Sequence, residues 1–172
     1  MLDESKPGES FMKKLIWLFL LLFLLGCSKS DEELRKMIQD EISKSSERSF
    51  ITNAQVIGPY SPAVKVGSIL FVSGQIGMNP ETTELAGPDI DSQTRQALMN
   101  LLAILEEAGC DSSDVVQCSV FLRDIRDFPR MNLIYGGFFA DGKYPARSTV
   151  EVSNLPRNAK MEIAAIAVKS KS

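Results

Sequence analysis

Hydrophobic positions divide the chain into one unbroken apolar run near the N-terminus and a long region of short, interrupted runs. The first run covers residues 15–25 and contains eleven apolar residues in succession. Over residues 50–172, β-branched runs alternate with segments whose apolar residues recur at helical spacing. The pattern predicts a hydrophobic N-terminal segment followed by one globular domain.

Six strands are predicted in the domain, because runs rich in β-branched and aromatic residues favour extended structure. They are Phe50–Val56, Ala63–Val66, Ser68–Gln75, Val115–Leu122, Ala146–Val152 and Met161–Val168. The last strand is apolar on both sides, which predicts that both of its faces are covered.

Two helices are predicted between these strands. Asp91 is predicted to cap the first helix and Gly109 to end it, and Asp127 is predicted to cap the second. The apolar face of the first comprises Ala97, Leu98, Leu101, Leu102, Leu105 and Ala108, and that of the second Phe128, Met131, Tyr135 and Phe138 or Phe139. The order β-β-β-α-β-α-β-β is an α+β layer fold with two helices on one face of a mixed sheet. The other face needs cover, which further copies of the chain would supply.

The N-terminal run is too short to cross a bilayer core, which needs about 20 apolar residues. Lys13 and Lys14 precede it and residues 24–27 (LLGC) follow it. This arrangement is similar to a bacterial lipoprotein signal, in which the chain is cut before an acylated cysteine. We therefore expect residues 1–26 to be a signal peptide and Cys27 to be lipidated. A buried core helix and a retained, uncleaved anchor are the alternatives.

Acidic residues precede Met12, whereas MKKLIWLFL reads as an ordinary signal start, so Met12 is expected to be the true start. In residues 27–49, apolar residues recur every four positions at Leu34, Ile38 and Ile42, which predicts a short amphipathic helix. A polar tether over residues 43–49 would follow it. The expected location is the cell envelope, as a membrane-anchored lipoprotein, or the cytoplasm if the signal is not used.

Composition narrows the possible chemistry. The 172 residues include no histidine and carry a net charge of -3. The missing histidine excludes Ser-His-Asp and Cys-His nucleophile pairs and His-ligated zinc. The slightly negative net charge does not indicate the basic surface that nucleic-acid binding needs. Cys110 and Cys118 lack metal-binding or redox spacing and are interpreted as small apolar residues, although export would permit a disulfide between them.

Arg147 and Glu162 are the charges whose positions need explanation. Arg147 begins an apolar strand, and its planar fork suits a bidentate carboxylate, although a strand-end arginine paired with a protein acid explains it as well. Glu162 interrupts the apolar run 161–168, where desolvation would raise its pKa and equip it as a general base or acid. An edge charge facing water, or a salt bridge to Arg147, is the alternative. A short connection joins the two strands, so the two side chains are expected to lie close together.

Several ordered motifs together resemble the reactive-intermediate deaminase family, of the Rid or YjgF/YER057c/UK114 type. They are Gly58-Pro59-Tyr60-Ser61, Val72-Ser73-Gly74-Gln75, Asn132-x-x-Tyr135-x-x-Phe138-Phe139, Tyr144-Pro145-Ala146-Arg147-Ser148 and Val152-x-x-Leu155-Pro156 followed by Met161-Glu162-Ile163. The resemblance covers residues 50–169 and leaves residues 1–49 outside it. Most familiar members lack an export signal, so the lipoprotein-like segment is a departure.

The resemblance implies a chorismate-mutase-like fold, a homotrimer with sites in clefts between subunits, and no metal or organic cofactor. It implies hydrolysis of 2-imino or enamine acids, such as 2-aminoacrylate, 2-iminobutanoate and 2-iminopropanoate, to 2-keto acids and ammonia. The partners it implies are a small 2-imino acid and further copies of the chain. The membrane is a further expected partner, and this expectation rests on the lipoprotein-like signal and the acylation of Cys27, not on the family resemblance.

Carried onto this chain, the family's site implies that Arg147 binds the substrate carboxylate and that Glu162 activates water. Tyr60, Ser73, Gly74 and Asn132 would line the pocket, and Thr149 would occupy a position where some members have cysteine. Taken singly and without the family, these residues are better explained by structural roles: Tyr60 as a ring packed in a turn, Ser73 as a hydroxyl that satisfies a strand end, and Asn132 as a side chain that bonds to backbone.

Two other functions compete with the deaminase. One is a non-catalytic, membrane-tethered trimer that binds small carboxylates or a partner protein. The other is an enzyme for a different carbonyl- or imine-derived substrate.

Overall fold

The computed structural model describes residues 31–54, 56–139 and 142–169. The expected signal peptide, the start at Met12 and the lipidation site Cys27 lie outside these residues. Within these ranges, no helix is both long enough and apolar enough to span a membrane. The chain divides into two compact units, residues 1–43 and 44–172.

Helix α1, Asp31–Ser46, confirms the helix predicted from Leu34, Ile38 and Ile42. Residues 43–49, predicted as a polar tether, form the end of α1, which runs to Ser46, and the start of strand β1 at Arg48, and their role as a tether stays a prediction. Polar residues with high helix propensity, such as Glu41 and Lys44, continue a helix as readily as apolar ones do.

The domain holds one six-stranded mixed sheet. Its strands are β1 (Arg48–Ile51), β2 (Ala63–Val66), β3 (Ile69–Ile76), β4 (Val115–Leu122), β5 (Ala146–Glu151) and β6 (Met161–Val168). They lie in the order β1-β2-β3-β6-β4-β5. Neighbouring strands are antiparallel except β4 and β5, which are parallel. The predicted order of strands and helices is confirmed.

Helices α2 (Ile90–Glu107) and α3 (Phe128–Phe138) cover one face of the sheet. Alternate residues of β6, beginning with Met161 and Ile163, are buried beneath them. The predicted apolar face of α2 is confirmed, except that Ile104 is fully buried where Leu102 was expected. Cys110 and Cys118 are buried free thiols, which confirms their interpretation as small apolar residues.

Several predicted boundaries differ from those observed. The strand expected over Phe50–Val56 ends at Ile51, because the partner strand β2 offers no residue beyond Ala63 to pair with. Asp89 caps α2 in place of Asp91, and its carboxylate accepts a hydrogen bond from the Ser92 amide. Gly109 follows the C-cap of α2 with φ of +76°, as expected for a helix-ending glycine.

A second boundary difference concerns α3. Asp127 lies at its N-cap, as predicted, but makes no side-chain capping hydrogen bond. A short 3₁₀ turn, Ile125–Asp127, leads into the helix instead.

The sheet face opposite the helices, which we call the open face, is apolar and exposed within one chain. Phe71 and Ile69 on β3 are 45% and 38% exposed, and Val150 on β5 is 46% exposed. Phe71 lies directly opposite Ile166 of β6, so these two side chains form an apolar surface across β3 and β6. The prediction that both faces of β6 are covered is wrong for a single chain, because only the helix side is buried.

Candidate functional site

A cavity of about 120 Å³, the Glu162 cavity, lies where β3 extends beyond the end of β2. Its polar lining includes Tyr60, Gln75, Asn100 and Glu162. The rest of its wall is mainly apolar, formed by Ala54, Ile57, Ile76, Met78, Pro80, Ala103 and Pro156, together with Gly74. A carboxylate therefore faces a small, largely apolar space.

Glu162 is partly buried on β6, and this burial raises the pKa of its carboxyl group. Burial is the cause of the shift, and within the part of the chain that the structure describes no cation compensates the charge. A carboxylate in such an environment is a stronger base than one in water, which suits it to accept a proton from a bound water.

Gly74 makes room for this carboxylate. The register of β3 against β6 shifts between Val72 and Gln75, so that Gly74 lies within an irregular step of the strand. A Cβ atom at Gly74 would overlap the side chain of Glu162. A side chain at this position would force the Glu162 carboxylate to move, so glycine allows the carboxylate its observed place.

Hydrogen bonds tie the Tyr60 turn to this irregular step. The Ser73 amide donates to the Pro62 carbonyl at 2.9 Å, and the Ser73 hydroxyl donates to the Ser61 carbonyl at 2.7 Å. Ser73 therefore positions the turn that brings Tyr60 to the cavity.

Asn100 closes the other side of the Glu162 cavity from α2. Its amide nitrogen donates to the carbonyls of Ile76 and Met78, at 3.1 and 2.8 Å. These bonds hold the end of β3 against the helix and fix the shape of the cavity.

Arg147 lies in a different cavity of about 420 Å³, the Arg147 cavity, lined also by Asn132, Tyr135, Gly136, Tyr144 and Pro145. The guanidinium carbon lies 4.3 Å from the centre of the Tyr135 ring and 5.6 Å from that of Phe128. One guanidinium nitrogen donates to the Asn132 side-chain oxygen at 2.6 Å. Among the described residues Arg147 forms no salt bridge with an acid, so its charge is held by aromatic faces and an amide.

Two polar atoms near Arg147 are buried without a hydrogen-bond partner among the described residues: the Tyr135 hydroxyl and Thr149 Oγ1. Burial raises the pKa of the Tyr135 hydroxyl, so the ring remains neutral beneath the guanidinium. Thr149 lies on β5 two residues beyond Arg147 and lines neither cavity.

Arg147 and Glu162 lie on opposite faces of the sheet. Arg147 is paired with Cys118 and Glu162 with Phe121, both on β4. Directly paired residues share a face and residues three apart on a strand do not, so the two side chains point away from each other. The expectation that they lie close together is wrong for a single chain, and so is the alternative of a salt bridge between them.

The expected site residues thus fall into two groups. Tyr60, Gly74 and Glu162 line the first cavity, and Asn132 and Arg147 line the second, while Ser73 supports the first from outside. Sequence reasoning missed Asn100, Gln75, Tyr144 and the stacking role of Phe128. Asn100 carried a signal, because it and Gln96 are polar and one turn apart beside the apolar face of α2.

Metal ligation has no support in the described residues, where no group of three or more His, Cys, Asp or Glu side chains is gathered. What the two cavities offer is a cation for binding an anion and a desolvated carboxylate for moving a proton. The fold and these residues define an α+β protein with two separate candidate cavities in each chain.

Comparisons of the sequence with known proteins give α+β proteins of one family. Residues 50–169 match the family model described as Endoribonuclease L-PSP. The chain is 50% identical over 121 residues to a RutC family protein of Pyrococcus horikoshii, covering 70% of this chain and 95% of the relative. It is 45% identical over 115 residues to the 2-iminobutanoate/2-iminopropanoate deaminase of Escherichia coli K12, covering 66% and 89%.

Solved structures give the same result. The E. coli YjgF gene product superposes with a TM-score of 0.68 at 43% identity, covering 71% of this chain and 99% of that one. E. coli TdcF with bound serine gives 0.68 at 40% identity over the same shares. The chain therefore belongs to the Endoribonuclease L-PSP family, which includes the RutC, YjgF and Rid-type proteins, and the expected Rid-type fold is confirmed.

Proposed function

We propose that this protein hydrolyses reactive 2-imino and enamine acids, such as 2-aminoacrylate and 2-iminobutanoate, to 2-keto acids and ammonia. The observation that carries the proposal is the pair of cavities, one presenting the Arg147 guanidinium and the other the desolvated Glu162 carboxylate. Relatives at 45–46% identity are named 2-iminobutanoate/2-iminopropanoate deaminase, which supports the same reaction.

Arg147 supplies the binding half of the reaction. Stacking on Tyr135 and the bond to Asn132 fix the plane of the guanidinium, so its other N–H groups are oriented to bind a carboxylate. This pre-organisation reduces the entropy lost when substrate binds.

Glu162 supplies the proton transfers. Water adds to the imine carbon and forms a C–O bond while Glu162 accepts one of its protons. The resulting carboxylic acid returns that proton to the nitrogen, which gives a carbinolamine. Glu162 then carries the hydroxyl proton to the same nitrogen, the C–N bond breaks with its electron pair on the nitrogen, and ammonia leaves as the keto group forms. The carboxylate is regenerated and no oxidant or reductant is needed.

The two halves meet only if two copies of the chain contribute to one site, because Arg147 and Glu162 face away from each other. The apolar open face around Phe71 and Ile166 provides the surface for such self-association. We infer a homotrimer in which each site combines Arg147 of one copy with Glu162 of the next.

A coupled assay tests the activity. Threonine dehydratase generates 2-iminobutanoate, and keto acid release is measured with and without the protein. We expect acceleration by the unaltered protein, none by Arg147→Ala, and full acceleration by the matched control Arg48→Ala, which removes a cation at the far end of the sheet. Absence of acceleration by the unaltered protein, or full activity of Arg147→Ala, would contradict the proposal.

We further propose that the chain is exported and anchored through acylated Cys27. The support is the apolar run at 15–25 followed by LLGC. A labelled fatty acid should be incorporated in cells, lost in Cys27→Ala and retained in Cys110→Ala, whose thiol is buried. Label that persists in Cys27→Ala would rule out this anchor.

A further inference from the structure

A third cavity, of about 590 Å³, lies apart from the two half-sites and has a cationic lining. Arg123, Arg157 and Lys160 contribute three positive charges to its wall, and Glu84 contributes one negative charge. It shares only Met78 with the Glu162 cavity and no residue with the Arg147 cavity. We call it the cationic cavity.

The walls of the cationic cavity are held by a buried amide. Gln93 is 2% exposed, and its amide nitrogen donates to the Gly87 carbonyl at 2.7 Å while its oxygen accepts from the Lys160 amide at 2.8 Å. A guanidinium nitrogen of Arg123 donates to the Asn158 carbonyl at 2.8 Å. These bonds join three separate chain segments, so the cavity keeps its shape without a ligand.

Arg157 adopts a backbone conformation that arginine seldom adopts. Its φ is +57°, and the following Asn158 has the same value, so two successive residues lie in the left-handed region. Asparagine tolerates this region but arginine pays for it in free energy. A residue held there places its cation at the cavity, where strained residues commonly serve a function.

The charges of the cavity are only partly neutralised inside the protein. The Lys160 ammonium lies 3.6 Å from the Asp127 carboxylate, and Arg123 is bonded to a carbonyl, which carries no net charge. Arg157 forms no salt bridge among the described residues. Counting Glu84 and Asp127, the surroundings retain one positive charge, and the two guanidinium groups offer directional donors.

We propose that the cationic cavity is a second binding site, for a compact oxyanion of the phosphate class. Two guanidinium groups and an ammonium match the geometry and charge of phosphate oxygens. The site is independent of imine hydrolysis because it contains neither Arg147 nor Glu162.

Calorimetric titration of the full chain with inorganic phosphate tests this site. We expect saturable binding that weakens about tenfold or more in Arg157→Gln. The matched control, Arg48→Gln, removes the same charge at the opposite end of the sheet and should leave the affinity within about twofold, because solvent and salt screen distant charges. Glycerol 3-phosphate is titrated in parallel. If it binds more tightly than inorganic phosphate, the ligand is a phosphate monoester, and if it binds more weakly, the ligand is free phosphate.

Arg157→Gly separates a binding role from a structural one. Glycine adopts a φ of +57° without strain, so this variant should melt no lower than the unaltered protein while losing phosphate binding. No saturable binding by the unaltered protein, equal weakening in Arg157→Gln and Arg48→Gln, or full binding by Arg157→Gly would each overturn the proposal.

Discussion

The contacts of Arg147 show how individual residues keep a positive charge available in the Arg147 cavity. A guanidinium bonded to Asn132 and stacked on Tyr135 and Phe128 keeps its charge without a protein carboxylate. A salt bridge would have neutralised the charge that an anionic ligand needs. These aromatic and amide partners thus leave the charge of Arg147 available to an anionic ligand, which we propose is the substrate carboxylate.

The pH dependence of imine hydrolysis should reflect the protonation state of the single residue Glu162. The base form is lost as pH falls through its pKa, and burial raises that pKa above the ordinary value of 4.5. The rate should therefore fall on the acid side at a higher pH than for an exposed glutamate. The measurement is kcat/KM against pH, with the uncatalysed rate subtracted at each point.

Glu162→Gln provides the control for that profile. We expect its rate to be lower by about 10²–10⁴-fold and its acid limb to disappear. An acid limb that persists unchanged in Glu162→Gln would show that another group titrates.

Among the elements, β3 does most to shape the Glu162 cavity. Its irregular step at Gly74 and its extension beyond β2 create a space that a regular strand would close. Asn100 from α2 and the turn held by Ser73 complete the walls.

Gly74→Ala tests this element directly. The added methyl group would displace the flexible Glu162 side chain, so we expect a loss of most activity and a loss of stability of only about 1 kcal/mol. Gly137→Ala is the control, since a Cβ in that helical position has no atom within 4 Å. It should raise stability by about 0.5–1 kcal/mol and leave activity unchanged. Chemical denaturation and the coupled assay measure both; an active, stable Gly74→Ala would contradict this role.

Element order was predictable because β-branched runs and helical apolar spacing are local properties. Val115–Leu122 and Met161–Val168 were predicted with their observed bounds, whereas Phe50–Val56 failed because the end of β1 is set by the length of its partner β2. Tertiary pairing, which one segment does not encode, decides such boundaries.

The unusual charges of the two cavities were recognisable from the sequence, but their arrangement was not. Arg147 and Glu162 were recognisable as charges at apolar strands. Their placement on opposite faces depends on the register of β5 and β6 against β4, which are far apart in sequence. The stacking of Arg147 on Phe128 likewise depends on how α3 packs against the sheet.

On the scale of the whole molecule, the open face should govern assembly. Phe71→Asp places a charge on a residue that is 45% exposed within one chain, so the fold should persist while association is lost. Light scattering should give a monomer with little activity. Met99→Asp, at a position 61% exposed on α2, should leave the assembly intact. A Phe71→Asp protein that remains assembled would show that another surface joins the copies.

Subunit complementation tests most directly whether Arg147 and Glu162 of different copies form one site. Arg147→Ala and Glu162→Gln chains, each inactive alone, are co-expressed with different tags, and mixed assemblies are purified through both tags. In every mixed trimer, whichever chain is present twice, one of the three sites combines an intact Arg147 with an intact Glu162, so activity should return to about a third of the unaltered level. Mixed assemblies that remain as inactive as their parents would contradict the shared site.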